Sequence, residues 1–292
     1  MRILTGLLLA ATIFAANVTY SYDAAGRLLT ATWDNGVVVT YTYDKAGNLL
    51  GRTVPGPAPQ ITANGIVNAA SYTAPLVRGE LAALFGQKLA ASTASASFLP
   101  LPTSLAGVQV TVNGVLAPLY YVSPGQINFQ VPLEAPVSGS APVTVRLNGS
   151  VTSAQQVSMA EYSPAIYTYA RTATLLDPIV VHATTYALVT PDNPASAGET
   201  LVIYATGAGT FDFPPATGAG ASSTQLARTS VTPAVTVGGV SAAVGFSGLA
   251  PGYVGLLQLN IVLPAPLPGS GTLPLKVQFN PSASASANLY VR

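Results

Sequence analysis

Four blocks of this chain occur twice in the same order, so its main body must fold as two copies of one module. Gly79-Glu80-Leu81 matches Gly198-Glu199-Thr200, and each opens an alternating apolar run (Ala83-Leu84-Phe85; Val202-Ile203-Tyr204). Thr111-Val-Asn-Gly-Val115 matches Thr236-Val-Gly-Gly-Val240. Gln126-Ile-Asn-Phe-Gln-Val-Pro132 matches Gln258-Leu-Asn-Ile-Val-Leu-Pro264, and Val143-Thr-Val-Arg-Leu-Asn-Gly149 matches Leu275-Lys-Val-Gln-Phe-Asn-Pro281. The last two pairs share an offset of 132 residues. The second copy carries extra residues within Gly248-Leu-Ala-Pro-Gly-Tyr-Val-Gly255. Short runs of period-two alternation between Gly, Pro, Asn and Ser turns read as strands. With 7% charged residues the chain is too poor in charge for coiled coils, and at 49% hydrophobic it is too apolar for disorder. The expected fold class is all-β, with two tandem Ig-like β-sandwich domains at 61–168 and 169–292.

A second, shorter repeat precedes the body. Val18-Thr-Tyr-Ser-Tyr-Asp23 returns 21 residues later as Val39-Thr-Tyr-Thr-Tyr-Asp44. Each copy runs on as Asp-x-x-Gly-(Arg/Asn)-Leu, through Gly26-Arg27-Leu28 and Gly47-Asn48-Leu49. Tyr20/Tyr22 and Tyr41/Tyr43 share a strand face, the glycines suit turns that need positive φ, and Asn35-Gly36 is a strong hairpin signal. Residues 17–54 are therefore expected to form a short β-hairpin meander, joined by a Pro-rich linker at 55–60. The stretch resembles the YD repeats of Rhs-type and teneurin-type surface proteins. Two copies are too few for the hollow shell that many repeats build, so the resemblance implies a surface location and no toxin cargo.

The body has a resemblance of its own, carried by Gly65-Ile-Val-Asn-Ala-Ala-Ser-Tyr72, Leu101-Pro-Thr-Ser-Leu-Ala-Gly107 and Val110-Thr-Val-Asn-Gly114. It continues through Ala117-Pro-Leu-Tyr-Tyr-Val-Ser-Pro-Gly-Gln-Ile-Asn128, Tyr204-Ala-Thr-Gly-Ala-Gly209 and Leu249-Ala-Pro-Gly-Tyr-Val-Gly255. From Asn64 to Arg292 the chain is similar to a C-terminal domain family of exported acidobacterial proteins. The resemblance implies export and an accessory module, and no reaction. Thr190-Pro-Asp-Asn-Pro194 departs from the Asn-x-Asp-Gly type of turn that the family pattern leads one to expect there.

Met1-Arg2 followed by the apolar run Ile3 to Ala15 reads as an export signal ending near residue 16. No later stretch is long enough to span a bilayer, so no membrane span is expected after cleavage. The chain has no cysteine, which removes disulfides, thiolate metal sites and thiol nucleophiles. A net charge of +1 with eleven scattered Lys and Arg offers nucleic acid no field.

Candidate chemistry is sparse. His182 is the single histidine, Gly245-Phe-Ser-Gly248 lacks the second glycine of a nucleophile elbow, and the carboxylates show no paired spacing. Asp192, Asn193, Glu199 and Asp212 are oxygen donors without the spacing of a calcium loop. The expectation is a non-enzymatic protein without cofactor, exported to the extracellular space or cell envelope of a bacterium. Its expected role is adhesion or scaffolding through protein contacts, with carbohydrate binding as the alternative. The candidate ligand residues are Gln126 and Asn128, their counterparts Gln258 and Asn260, and the aromatic Tyr121 and Tyr253. In strands, each Gln-x-Asn pair lies on the face opposite its apolar neighbours.

Overall fold

The computed structural model describes residues 17–33, 38–53 and 59–292. The leader, the Asn35-Gly36 turn and most of the Pro-rich linker lie outside the described residues. The chain divides into two compact units, Met1–Ala58 and Pro59–Arg292. Among the described residues no helix is long and apolar enough to cross a membrane.

In the first unit β1 (Val18–Tyr22), β2 (Leu28–Trp33), β3 (Val38–Tyr43) and β4 (Leu49–Thr53) pair antiparallel in chain order. Its two Tyr-Asp turns are built alike. Asp23 Oδ1 accepts the N–H groups of Ala25 and Arg27, each at 2.9 Å, and Asp44 Oδ1 accepts that of Asn48 at 2.8 Å. The second carboxylate oxygen accepts from the side chain after the glycine, Arg27 Nε at 2.7 Å in one copy and Asn48 Nδ2 at 2.9 Å in the other. Gly26 and Gly47 hold φ of 76° and 92°. The Arg/Asn of the motif is thus the donor that completes the aspartate's shell. The Arg27 backbone and side chain hold Asp23 below its ordinary carboxyl value, and the Asn48 side chain and backbone do the same for Asp44. Arg27 also lies 5.0 Å over the Tyr43 ring, and the Tyr43 hydroxyl donates to Leu28 O at 3.0 Å, tying one repeat to the other.

The second unit begins with β5 (Gln60–Asn68), β6 (Leu81–Gln87), β7 (Ala94–Ser95), β8 (Val108–Val112), β9 (Val115–Ala117) and β10 (Leu119–Val122). It continues with β11 (Gln126–Gln130), β12 (Gly139–Leu147), β13 (Ser150–Val151) and β14 (Gln155–Met159). One sheet runs β5-β6-β11-β10-β7; the other runs β13-β12-β8-β9 with β14 on β12. They share one core, to which alternate residues contribute: Leu84, Ile127 and Phe129 from the first sheet, Val108, Val110 and Val143 from the second. Each such side chain, fully buried, stabilises by about 1.5–3 kcal/mol.

After Ala160 come β15 (Ala165–Ile166), β16 (Thr168–Thr172), β17 (Leu175–Pro178), β18 (Val180–His182) and β19 (Thr200–Thr206). The last five are β20 (Ala234–Val237), β21 (Val240–Leu249), β22 (Leu257–Val262), β23 (Gly271–Asn280) and β24 (Ala283–Val291). The order is β15-β19-β22-β21-β20-β23-β24, with β18 on β19. Strand β21 is long enough to serve both sides of the core. It pairs β20 through Val240–Ala242 and β22 through Ala243–Leu249, with a register shift between Val244 and Phe246. That irregularity lets it turn the corner. Two facing sheets in the first module become one sheet rolled into a nearly closed barrel in the second. The matched Asn113-Gly114 and Gly238-Gly239 both have positive φ at two successive residues and form two-residue hairpins, Val112 facing Val115 and Val237 facing Val240.

The extra residues of the second copy explain themselves at the junction between modules. Gly255 has φ of 64°, and a Cβ there would stand 2.7 Å from Gly79 O of the first module. Gln130 bolts the same junction: its Oε1 accepts from Gly218 N at 2.7 Å and its Nε2 donates to Gly79 O at 3.2 Å. Leu101 N donates to Gly218 O at 2.8 Å, and Thr217 Oγ1 accepts from Leu133 N and donates to Glu134 Oε2.

Candidate functional site

The repeated Gln-x-Asn pairs lie in β11 and β22, whose alternate residues Ile127, Phe129, Leu259 and Ile261 point into the cores. The amides therefore face outward. In both copies they bond each other, Gln126 Nε2 donating to Asn128 Oδ1 at 2.7 Å and Gln258 Nε2 to Asn260 Oδ1 at 2.9 Å. Each pair still holds an amide acceptor and an amide donor beyond that bond.

Sheet register places an aromatic ring on either side of each pair. Gln126 stands opposite Phe85 on β6, and Asn128 opposite Tyr121 on β10. Gln258 stands opposite Tyr204 on β19, and Asn260 opposite Phe246 on β21. Phe85 and Tyr204 occupy matching positions, five residues after Glu80 and Glu199. The row of ring, amide pair and ring is thus duplicated in register. Further tyrosines extend it. Tyr72 lies 6.4 Å from Phe85, centroid to centroid. Burial first, then the neighbouring phenols of Tyr253 and Tyr186, push up the Tyr204 phenol. Tyr253 and Tyr186 are 61% and 71% exposed. In the second row Arg228 caps Phe246 at 5.1 Å.

The candidate residues thus fall into two sets, Tyr121 with Gln126 and Asn128, and Tyr253 with Gln258 and Asn260. Gln130, which shares a strand face with Gln126 and Asn128, is instead committed to the junction. A register shift between Leu119 and Tyr121 leaves both Leu119 and Val122 in the core, so Tyr120 and Tyr121 both stand on the outer side rather than on opposite faces as simple alternation would have them; Tyr120 is exposed and Tyr121 half-buried.

A further duplication was open to sequence reasoning. Ile66-Val-Asn-Ala-Ala-Ser-Tyr72 matches Val180-Val-His-Ala-Thr-Thr-Tyr186, but its offset differs from those of the later blocks, and Asn and His do not look alike. In the fold they are equivalents. Asn68 pairs with Ala82 and His182 with Leu201, while Tyr72 N and Tyr186 N close identical turns at 3.0 and 2.8 Å, each with φ of 56°. Each donates from its side chain to the glutamate that opens the next strand. Asn68 Nδ2 reaches Glu80 Oε2 at 2.8 Å, and His182 Nδ1 meets Glu199 Oε1.

The two carboxyls titrate in opposite directions. Burial pushes Glu80 well above its ordinary value, and the Val77 backbone and the Asn68 amide offset only part of that. Among the described residues its Oε1 has no hydrogen-bond partner, and Glu80 borders a cavity of about 10 Å³ at the module junction. For Glu199 burial also works upward, but His182 and the Ser196 N–H outweigh it and hold the carboxyl below its ordinary value. His182 Nε2 lies 3.2 Å from Asn193 O, so both ring nitrogens face acceptors.

These contacts read as architecture. Ser247 is buried with its Oγ 2.7 Å from Thr229 Oγ1. Asp212 Oδ1 accepts from Phe213 N and Arg228 N, and Asn193 Nδ2 donates to Leu188 O, so these oxygen donors serve separate turns. Among the described residues no three of His, Asp and Glu gather as a metal-binding cluster.

The RHS repeat family matches residues 22–57. No curated protein matches the chain. Among solved structures it is similar to the Bacteroides ovatus mixed-linkage glucan utilization locus protein SGBP-B, in complex with a mixed-linkage heptasaccharide. That likeness has 12% identity and a TM-score of 0.32, covering 93% of this chain and 57% of that one. It is also similar to the I9-I11 tandem of titin, with 10% identity, 94% and 88% coverage and a TM-score of 0.22. The N-terminal eight Ig domains of Down Syndrome Cell Adhesion Molecule match with 10% identity, 97% and 31% coverage and a TM-score of 0.20. The chain spans little more than half the length of SGBP-B.

Proposed function

We propose that this chain is an exported, non-enzymatic protein that works in adhesion or scaffolding, through contacts made by the outer faces of two tandem Ig-like sandwiches. The observation that carries the reading is the row of ring, amide pair and ring on the sheet face opposite the core, present once per module in the same register, with the Phe246 ring at the end of the second row buried under Arg228. Tyrosine is enriched among the residues that dominate protein interfaces, and interface centres are depleted of charge. Two rows on one chain also let weak contacts reinforce each other through effective concentration. The RHS repeat at 22–57 and the resemblance of 64–292 to exported acidobacterial C-terminal domains are both in keeping with a place outside the cell.

The test is binding of the labelled secreted chain to cells of the producing bacterium, left intact, shaved with protease, or oxidised with periodate. The proposal expects saturable binding that shaving abolishes and that Tyr121→Ala with Tyr253→Ala weakens about tenfold. No saturable binding, or full binding by the double variant, would overturn it.

A second reading, glycan recognition by the same rows, is favoured by the exposed rings of Tyr186 and Tyr253 beside uncharged amides. Rings of this kind offer an apolar face with a polar tip. On that reading periodate, and not protease, removes the binding.

A further inference from the structure

A cleft beside the first amide row, sharing with it the Tyr72 ring, carries a ligand argument of its own. It opens on the first module where the free edges of the two sheets meet, between β5, β14 and the turn at Tyr72–Ala74. Its volume is about 350 Å³, within the ~300–1,000 Å³ of small-molecule sites. Ile66 and Val157 contribute apolar surface, Asn64 and Gln156 supply amides, Thr73 and Ser158 supply hydroxyls, and Tyr72 contributes an aromatic ring.

We propose that this cleft binds a short stretch of a neutral saccharide, with the Tyr72 ring as its platform. The ligand class follows from the lining. Among the described residues every one bordering the cleft is uncharged, so a phosphate or uronate would enter without a counter-charge from them. Amides and hydroxyls around one aromatic ring match a ligand that is all hydroxyls with an apolar ring face.

An added peptide strand is the poorer fit. Strand β5 shifts register between Ile61 and Ile66. Gln155 Nε2 already donates to Ile61 O at 3.0 Å, and Leu76 N to Ser158 O at 2.9 Å. The edge therefore offers no regular ladder.

The turn that carries Tyr72 fixes its ring in place. Asn64 and Tyr72, both bordering the cleft, hold φ of 57° and 56°, a region that costs a residue with a Cβ about 1–2 kcal/mol. Asn68 enforces the Tyr72 turn: its Oδ1 accepts from Ala70 N at 2.7 Å and Ser71 N at 3.0 Å, and its carbonyl accepts from Tyr72 N. The result is a ring braced at its base yet 58% exposed.

This site shares its ligand class with the glycan reading of the rows, but Gln126, Asn128 and Tyr121 do not border it, so the two can be separated. The full secreted chain would be screened on neutral gluco-, xylo-, manno- and galacto-oligosaccharides and their uronate-bearing counterparts, then titrated with the best neutral binder by calorimetry. We expect saturable binding that Tyr72→Ala weakens about tenfold and Gln156→Ala about threefold. Tyr20→Ala, in β1 of the first unit and outside the rows and the cleft lining, should leave it within about twofold of the parent. Melting curves check that each variant folds. If binding is lost in Tyr121→Ala or Tyr253→Ala and kept in Tyr72→Ala and Gln156→Ala, the glycan reading stands and the cleft falls. Failure to bind any neutral sugar, or preference for the uronates, overturns the cleft outright.

Discussion

Glu80 and Glu199 open equivalent strands, yet their surroundings give them opposite pH dependences. Unfolded, Glu80 ionises near its ordinary value of 4.5, while burial keeps the proton on in the folded chain well above that. Its contribution is therefore complete below pH 4.5 and is lost as pH rises toward the folded value. Glu80→Gln keeps an acceptor for Asn68 and removes the ionisation. Its melting temperature should exceed the parent's by a margin that grows from pH 4 to pH 8, measured by calorimetry across that range. Glu199 carries the other sign. Its folded carboxyl sits below 4.5, so its contribution is complete above that value and is lost as pH falls through the folded one. Glu199→Gln should cost about 1–3 kcal/mol at pH 7 and progressively less in acid, as denaturant unfolding would show. At this scale the sequence was only partly legible. The Gly-Glu match is visible in the text, but whether a carboxyl meets an amide or an imidazole depends on a partner twelve or seventeen residues upstream. The spacing of the carboxyls among themselves says nothing of it.

At the scale of strands and turns more could be read. The Tyr-Asp motif states its own turn, because Asp, Gly and the following Arg or Asn each have a separate task within five residues. Gly26→Ala and Gly47→Ala should each destabilise the first unit by about 1 kcal/mol, through φ strain alone, as measured by hydrogen exchange of the strand amides. Acid should loosen both turns: Asp23 and Asp44 are held below their ordinary value of 3.8, so their contribution is lost as pH falls below it. Alternation likewise marked β11 and β22, and with them the outward amides. Two things were not legible. The corner in β21 comes from pairing with different neighbours along one strand, which period-two patterning cannot express. The rings beside the amides come from cross-strand register, and register is set by long-range pairing.

For the whole body, the loop that looked like an insertion packs closely against the first module at Gly79, beside the hydrogen bonds that Gln130, Leu101 and Thr217 make across the junction. Gly255→Ala meets both a positive φ and the Gly79 carbonyl, and should cost about 2 kcal/mol or more. Gly239→Ala, with φ of 84° and open space around it, should cost about 1 kcal/mol. Equal losses in the two would show that the junction is not tightly packed at Gly255.

The central claim is that the chain binds through the duplicated outer faces of its body. Hydroxyl-radical footprinting of the secreted chain, free and bound to cells, tests it directly. The account predicts protection of Tyr121 in the first module and of Tyr186 and Tyr253 in the second, with Tyr20 and Tyr22 unchanged. Protection confined to Tyr20 and Tyr22 would place binding in the Tyr-Asp repeats and contradict it.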